Sequence, residues 1–131
     1  ANPKMMDIAV PANQKLGISF EKQQKLNGLS FDVFSKKLND DNYELIDLRE
    51  EHEIKKNGSI RNSIHVPFQR FLDLIKNTKQ AKNYLLYCAV GERSSLAVQV
   101  MQAYDNVTVS HLIGGFKEWI NQQMPIITHD N

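Results

Sequence analysis

Only one cysteine, Cys88, occurs in the 131 residues, so no internal disulfide can form and a reducing compartment is expected. The four histidines, His52, His65, His111 and His129, lie too far apart to read as metal-ligand spacing, and neither a metal nor a cofactor is expected. No apolar run approaches the ~20 residues that span a bilayer, so no membrane role is expected. Net charge is nearly absent as well. Sixteen basic residues against fifteen acidic ones leave +1, and the basic residues are scattered rather than gathered into an aromatic-laced stripe. Nucleic acid is therefore not an expected partner. There is no low-complexity tract and no internal repeat. These absences leave a soluble globular chain, expected in the cytoplasm and long enough for one core but not for two. The chain opens at Ala1 without a charged segment leading into an apolar one, so a leader is expected to be absent or already removed.

Residues 1–28 contain Pro3, Pro11 and the polar run "EKQQKLNG" without sustained periodicity. They read as an arm or linker ending at Gly28, with a compact domain over residues 29–131. In "LSFDVFSKKLNDD", Ser30 stands at an N-cap position, and Phe31, Phe34 and Leu38 recur at helical spacing before Asn39-Asp40-Asp41 stops the helix. Tyr43 to Leu48 is a compact apolar strand. "REEHEIKKNG" reads as an exposed helical turn closed by Gly58. Ser63 to Pro67 reads as a second short strand. "FQRFLDLIKN" follows as a helix entered at Pro67, with Phe68, Phe71, Leu72 and Ile75 on one face. "NYLLYC", "SSLAVQVMQAY" and "VTVSHL" continue as strand, helix and strand. Gly114 and Gly115 turn the chain into "FKEWINQQ", where Phe116, Trp119 and Ile120 share a helical face; Phe116 and Trp119 are expected to pack in the core, and this segment to serve the fold rather than the chemistry.

Strands alternating with helices predict an α/β fold with a central parallel sheet covered by helices on both faces. Sites in such sheets gather at the carboxyl ends of the strands, and Cys88 falls at one. Alone, a cysteine after Leu-Leu-Tyr reads as a small buried hydrophobe. Its neighbours point elsewhere. With a helix expected from about Ser94, residues Ala89, Val90, Gly91, Glu92 and Arg93 must turn sharply, and Gly91 supplies the freedom to do so. Such a turn aims successive N–H groups inward at an anion, aided by the positive end of the helix dipole. A thiol there ionises more easily and becomes a nucleophile without a separate base. Arg93 adds positive charge and can anchor the loop. Glu92 works against that field unless it points outward. Ser94 and its neighbour can cap the helix.

Three segments in order resemble a rhodanese-like domain, the sulfurtransferase module that carries sulfur on a loop cysteine. "ELIDLREEHEI" with "NGSIRNSIHVPF" is similar to the family's upstream signature, "YCAVGERSS" to its active-site loop, and "LIGGFKEWI" to its closing Gly-Gly-aromatic-x-x-Trp segment. The resemblance implies that Cys88 accepts and donates sulfane sulfur and that residues Ala89 to Arg93 bind the persulfide and the donor's anionic group. Four residues separate Cys88 from Arg93, as in sulfur-handling members. Dual-specificity phosphatases and arsenate reductases of this fold have one more, which makes a phosphatase or arsenate reductase the alternative. Asp47 and Arg49 match the Asp-x-Arg of the upstream signature. The resemblance implies a supporting, structural place for them near the pocket, while by themselves they read either as a solvated charge pair or as a direct substrate contact. His52 and His65 read as packing or surface residues. The familiar histidine and Pro-Gly of the signature are replaced by Ser59 and by Arg61-Asn62. The implied donors are thiosulfate, polysulfide or a protein persulfide, and the implied acceptors are a thiol or cyanide. A sulfur-carrier protein or a cysteine desulfurase is a candidate protein partner. A regulatory or sulfur-delivery module of a larger protein is the reading of a different class.

Overall fold

The computed structural model describes residues 27–77, 82–104 and 107–129. Almost all of the expected arm over residues 1–28 therefore lies outside the described residues. The elements run β1 (Gly28–Leu29), α1 (Phe31–Lys37), β2 (Glu44–Asp47), α2 (Glu51–Asn57), β3 (Ile64–His65), α3 (Phe68–Lys76), β4 (Lys82–Tyr87), α4 (Glu92–Met101), β5 (Val107–Leu112) and α5 (Gly115–Asn121). Five strands form one sheet in the order β1-β5-β4-β2-β3, and each neighbouring pair is parallel. The alternation seen in the sequence is thus realised as a wound α/β sheet. Among the described residues no helix is long and apolar enough to cross a membrane.

Local chemistry sets the element boundaries. Ser30 caps α1 by accepting from the Val33 N–H at 3.4 Å, as its position predicts. After α1, the Asp40 side chain accepts from the Asn42 N–H at 2.9 Å, a local turn that competes with further helix. Glu50 and Glu53 form a reciprocal capping box at the start of α2. Gly58, at φ 84, closes that helix against the Ile127 carbonyl, where a Cβ would come within 2.7 Å.

Strand β1 escapes sequence reading because two residues carry no periodicity. Gly28, assigned to the end of the arm, pairs with His111, and Leu29 pairs with Leu112. The strand expected over Ser63 to Pro67 shrinks to Ile64–His65 at the sheet edge.

The period of two along β4 divides the core. Tyr84, Leu86 and Cys88 face α3 and α4, where they meet Phe71, Ile75, Val98 and Met101. Leu85 and Tyr87 face α1 and α5, against Phe34, Phe116 and Trp119. The apolar face expected for α3 is observed, with Phe71, Leu72 and Ile75 buried and Phe68 packed beside them. The face shared by three residues of α5 is covered only in part. Phe116 and Trp119 are buried, but Ile120 is 43% exposed, because only one side of this short helix meets the sheet.

This asymmetry predicts unequal losses. Phe34 has no exposed surface, and Phe34→Ala is expected to cost about 3–5 kcal/mol in urea unfolding. Ile120→Ala is expected to cost about 1 kcal/mol or less. Equal losses would place Ile120 in the core.

Candidate active site

Register aligns Asp47 with both Tyr87 and His65, so the chain leaves β2, β3 and β4 at one level. Cys88 follows directly after β4 and is fully buried. Gly91, at φ 101, then turns the chain into α4. This turn starts the helix two residues earlier than expected, at Glu92 rather than Ser94. Glu92 and Arg93 therefore belong to the first helical turn instead of the loop. Nor do the serines cap the helix. Gly91 occupies the cap position, and Ser94 and Ser95 turn their hydroxyls back to the carbonyls of Gly91 and Glu92 at 3.3 and 3.0 Å.

The consequence is a cradle around sulfur. The N–H groups of Gly91 and Ser94 lie 3.2 and 3.3 Å from Cys88 Sγ, and Ser94 Oγ is 3.6 Å away. Two backbone donors aimed at one sulfur suit a negatively charged atom. The outward side of the loop is pinned by α5. Phe116 N–H donates to the Cys88 carbonyl at 2.7 Å, and Lys117 N–H to the Ala89 carbonyl at 3.0 Å. Gly115 makes that approach possible, since a Cβ there would stand 2.6 Å from the Cys88 oxygen. The Gly-Gly turn expected to serve only the fold therefore also positions the loop.

Asp47 and Arg49 do not form a solvated charge pair. They are 0% and 1% exposed, because the first residues after β2 run beneath α5 rather than into solvent. Arg49 Nε donates to Asp47 Oδ1 at 3.0 Å, and Nη2 donates to Asp47 Oδ2 and the Gly58 carbonyl, both at 2.8 Å. Its guanidinium carbon lies 4.1 Å from the centre of the Phe116 ring and 5.4 Å from that of Tyr87. Tyr87 donates to Asp47 Oδ2 at 2.7 Å and accepts from Ile60 N–H at 3.1 Å. Burial holds the Tyr87 hydroxyl well above the ordinary tyrosine range, and the Asp47 charge adds to this, so it remains a donor. Burial opposes the Arg49 charge, but Asp47 outweighs it and keeps the guanidinium above its ordinary range.

Arg93 does not stand over the loop as a free cation. It pairs bidentately with Glu53 of α2, at 2.8 and 2.9 Å. The hydrogen bond from Arg93 outweighs partial burial and holds the Glu53 carboxyl at about 2. Sequence reading missed Glu53 because nothing local distinguishes it from Glu50 and Glu51. Val90 and Glu92 are exposed, and Ala89 is half-buried. A cleft of about 420 Å³ opens beside them, bordered by Arg49, Glu53, Ala89, Val90, Phe116 and Lys117. His65, read as packing or surface, is exposed but bonds through Nε2 to the Arg49 carbonyl at 2.7 Å. His52 is exposed on α2. At the altered turn of the upstream segment, Asn62 takes φ 68, a left-handed value that asparagine tolerates better than most residues.

A wound parallel sheet that presents a cysteine in a backbone cradle at a strand's carboxyl end defines a class of thiol-centred α/β domains. Residues 30–122 match the family described as Rhodanese-like domain, and the chain belongs to that family. It is 30% identical over 110 residues to a tRNA sulfurtransferase of Blochmanniella pennsylvanica, a match covering 80% of this chain and 23% of that protein. This chain thus spans about a quarter of the length of that relative. A rhodanese-related protein of Thermoplasma volcanium superimposes with a TM-score of 0.67 at 26% identity, over 78% of this chain and 98% of that one. A Rhodopseudomonas palustris protein described as a possible tyrosine phosphatase shares the fold, with a TM-score of 0.68 at 23% identity over 82% and 93% of the two chains.

The Glu53–Arg93 pair has a pH signature. Glu53 is depressed from its ordinary 4.5 to about 2, so the pair's contribution is complete above about pH 4.5 and is lost as pH falls through about 2. Glu53 is partly open to solvent, which screens the pair, so Glu53→Gln is expected to lower neutral-pH stability by about 1 kcal/mol and to flatten the acid limb of stability over that window. Urea unfolding at stepped pH measures both. An unchanged acid limb would mean that the pair does not hold the helix onto the loop.

Proposed function

We propose that this domain is a sulfurtransferase that carries sulfane sulfur on Cys88. The observation that supports it most is the convergence of the Gly91 and Ser94 N–H groups on Cys88 Sγ, within a loop of four residues between Cys88 and Arg93. Membership of the rhodanese-like family and the likeness to a tRNA sulfurtransferase favour the same chemistry. In loading, the Cys88 thiolate attacks the outer sulfur of a donor R–S–SH. The new S–S bond gives Cys88–S–SH, and R–S⁻ departs with the electron pair of the broken bond. In discharge, cyanide or an acceptor thiolate attacks that outer sulfur. The electron pair returns to Cys88 Sγ; with cyanide the products are thiocyanate, the Cys88 thiolate and a proton. The backbone donors serve the sulfur anion on either side of the cycle. These 131 residues hold no second cysteine, so an acceptor thiol comes from outside them.

Charge narrows the donor. Arg93 is neutralised by Glu53, and Glu92 stands exposed in the first turn of α4. A protein-borne or neutral persulfide therefore suits the mouth better than the thiosulfate dianion. A cysteine desulfurase as donor and a sulfur-carrier protein as acceptor fit that chemistry, with the domain acting as a delivery module in a reducing cytoplasmic setting. Phosphatase or arsenate reductase chemistry is the second reading, since the Rhodopseudomonas protein shares the fold. The short loop and an arginine committed to Glu53 weigh against a tetrahedral oxyanion.

Intact mass before and after cyanide tests the main reading. The wild type is expected to gain one sulfur from a sulfane donor and to lose it to cyanide, while Cys88→Ser never acquires it. A wild type that stays unmodified but hydrolyses aryl phosphates would overturn the reading. Glu92→Gln is expected to raise kcat/KM for thiosulfate several-fold while leaving a neutral persulfide donor unaffected. No change with thiosulfate would remove Glu92 as a determinant of donor choice.

A further inference from the structure

We infer that His111 is a positioning residue for Cys88, acting through the hydroxyl of Ser94. The inference rests on the sulfur-carrying reading of Cys88. His111 and Ser94 are both fully buried, and His111 Nδ1 lies 2.9 Å from Ser94 Oγ. That same oxygen is 3.6 Å from Cys88 Sγ and 3.3 Å from the Gly91 carbonyl. A serine hydroxyl has one proton to donate and two lone pairs to receive with. The Gly91 carbonyl can only accept, and a Cys88 thiolate can only accept. If Nδ1 also accepted, three groups would compete for one proton. The network balances when Nδ1 carries a hydrogen and donates to Ser94.

With that bond in place, Ser94 works as a two-position donor. While Cys88 is a thiol, its S–H donates to Ser94 Oγ, and the Ser94 proton rests on the Gly91 carbonyl. Once sulfur carries the charge, the Ser94 proton turns to it and supplies a third donor beside the Gly91 and Ser94 N–H groups. The move leaves no orphan, because the Gly91 carbonyl keeps the Ser95 N–H at 3.1 Å. Without a donor at Nδ1 the hydroxyl is drawn toward the histidine, and the sulfur loses its third partner. Discharge gains most from this bond, since the electron pair of the broken S–S bond returns to Cys88 Sγ in that step.

The contrast between two polar replacements tests this without emptying the site. In His111→Asn the amide nitrogen stands near the place of Nδ1, whereas in His111→Gln it reaches toward the place of Nε2. His111→Gln and Ser94→Ala are each expected to slow cyanide discharge of the Cys88 persulfide roughly tenfold, the size of one hydrogen bond to a charged atom. His111→Asn is expected to retain most of the wild-type rate. The double variant Ser94→Ala/His111→Gln is expected to be no slower than Ser94→Ala alone. Effects that multiply to roughly a hundredfold, or equal rates for the Asn and Gln variants, would overturn the assignment. Iodoacetamide alkylation of Cys88 reads the same network without any sulfur donor. A few-fold slowing is expected there, because a less stabilised thiolate is scarcer but more nucleophilic. A protein that never takes up sulfur, yet shows this alkylation pattern, would count against the sulfurtransferase reading and not against the Ser94–His111 link.

Discussion

Arg49 and Asp47 meet out of water, and a charge pair in that position persists only when its donors and acceptors are matched. Here the matching partners come from four parts of the chain. Asp47 ends β2, Tyr87 ends β4, Gly58 closes α2, and Phe116 lies in the first turn of α5. Removing one partner would strand a charge among apolar groups, so the carboxyl end of the sheet has a single low-energy arrangement. The loop that holds Cys88 begins one residue beyond Tyr87 and inherits that rigidity. An Asp-x-Arg whose donors face inward thus braces the end of the sheet from which the Cys88 loop leaves.

A second constraint acts from the far side of the loop. Backbone carbonyls of Cys88 and Ala89 are taken by the first N–H groups of α5. Each pinned carbonyl fixes the peptide plane it shares with the next residue, so the chain path through Ala89 and Val90 is set before the Gly91 turn, beyond which the Gly91 and Ser94 N–H groups meet sulfur. Gly115 makes the approach sterically possible, and a glycine there has a reason in geometry beyond the turn itself. Helix α2 adds the last hold, with Glu53 pairing the Arg93 guanidinium at 2.8 Å and offsetting its charge. The positive character around Cys88 therefore comes from backbone dipoles more than from side-chain cations. On the proposed sulfurtransferase reading, that balance favours a compact sulfur anion over a larger oxyanion.

Much of this was legible from residue order. Apolar runs of strand length separated by amphipathic segments dictated the wound parallel sheet, and the glycine and arginine after Cys88 marked a turn at a strand end. The shortfalls share one cause. Ile120 lies on the apolar face of its helix in sequence, yet only the width of the sheet beneath decides which part of that face is covered. Strand β1 is two residues long and exists only because β5 offers an edge. The early start of α4 depends on a left-handed Gly91, which local propensity permits but does not require.

The sequence alone determined the class of fold, the place of the cysteine and its spacing to Arg93, because these follow from periodicity and spacing within a few residues. Tertiary structure decided which charges remain available to a substrate. Glu53 and Arg93 are 40 residues apart, and Ser94 and His111 are 17 apart. No local pattern joins them. Their pairing follows from the order β1-β5-β4-β2-β3, which brings the carboxyl ends of separate strands to one edge where long side chains find partners out of water.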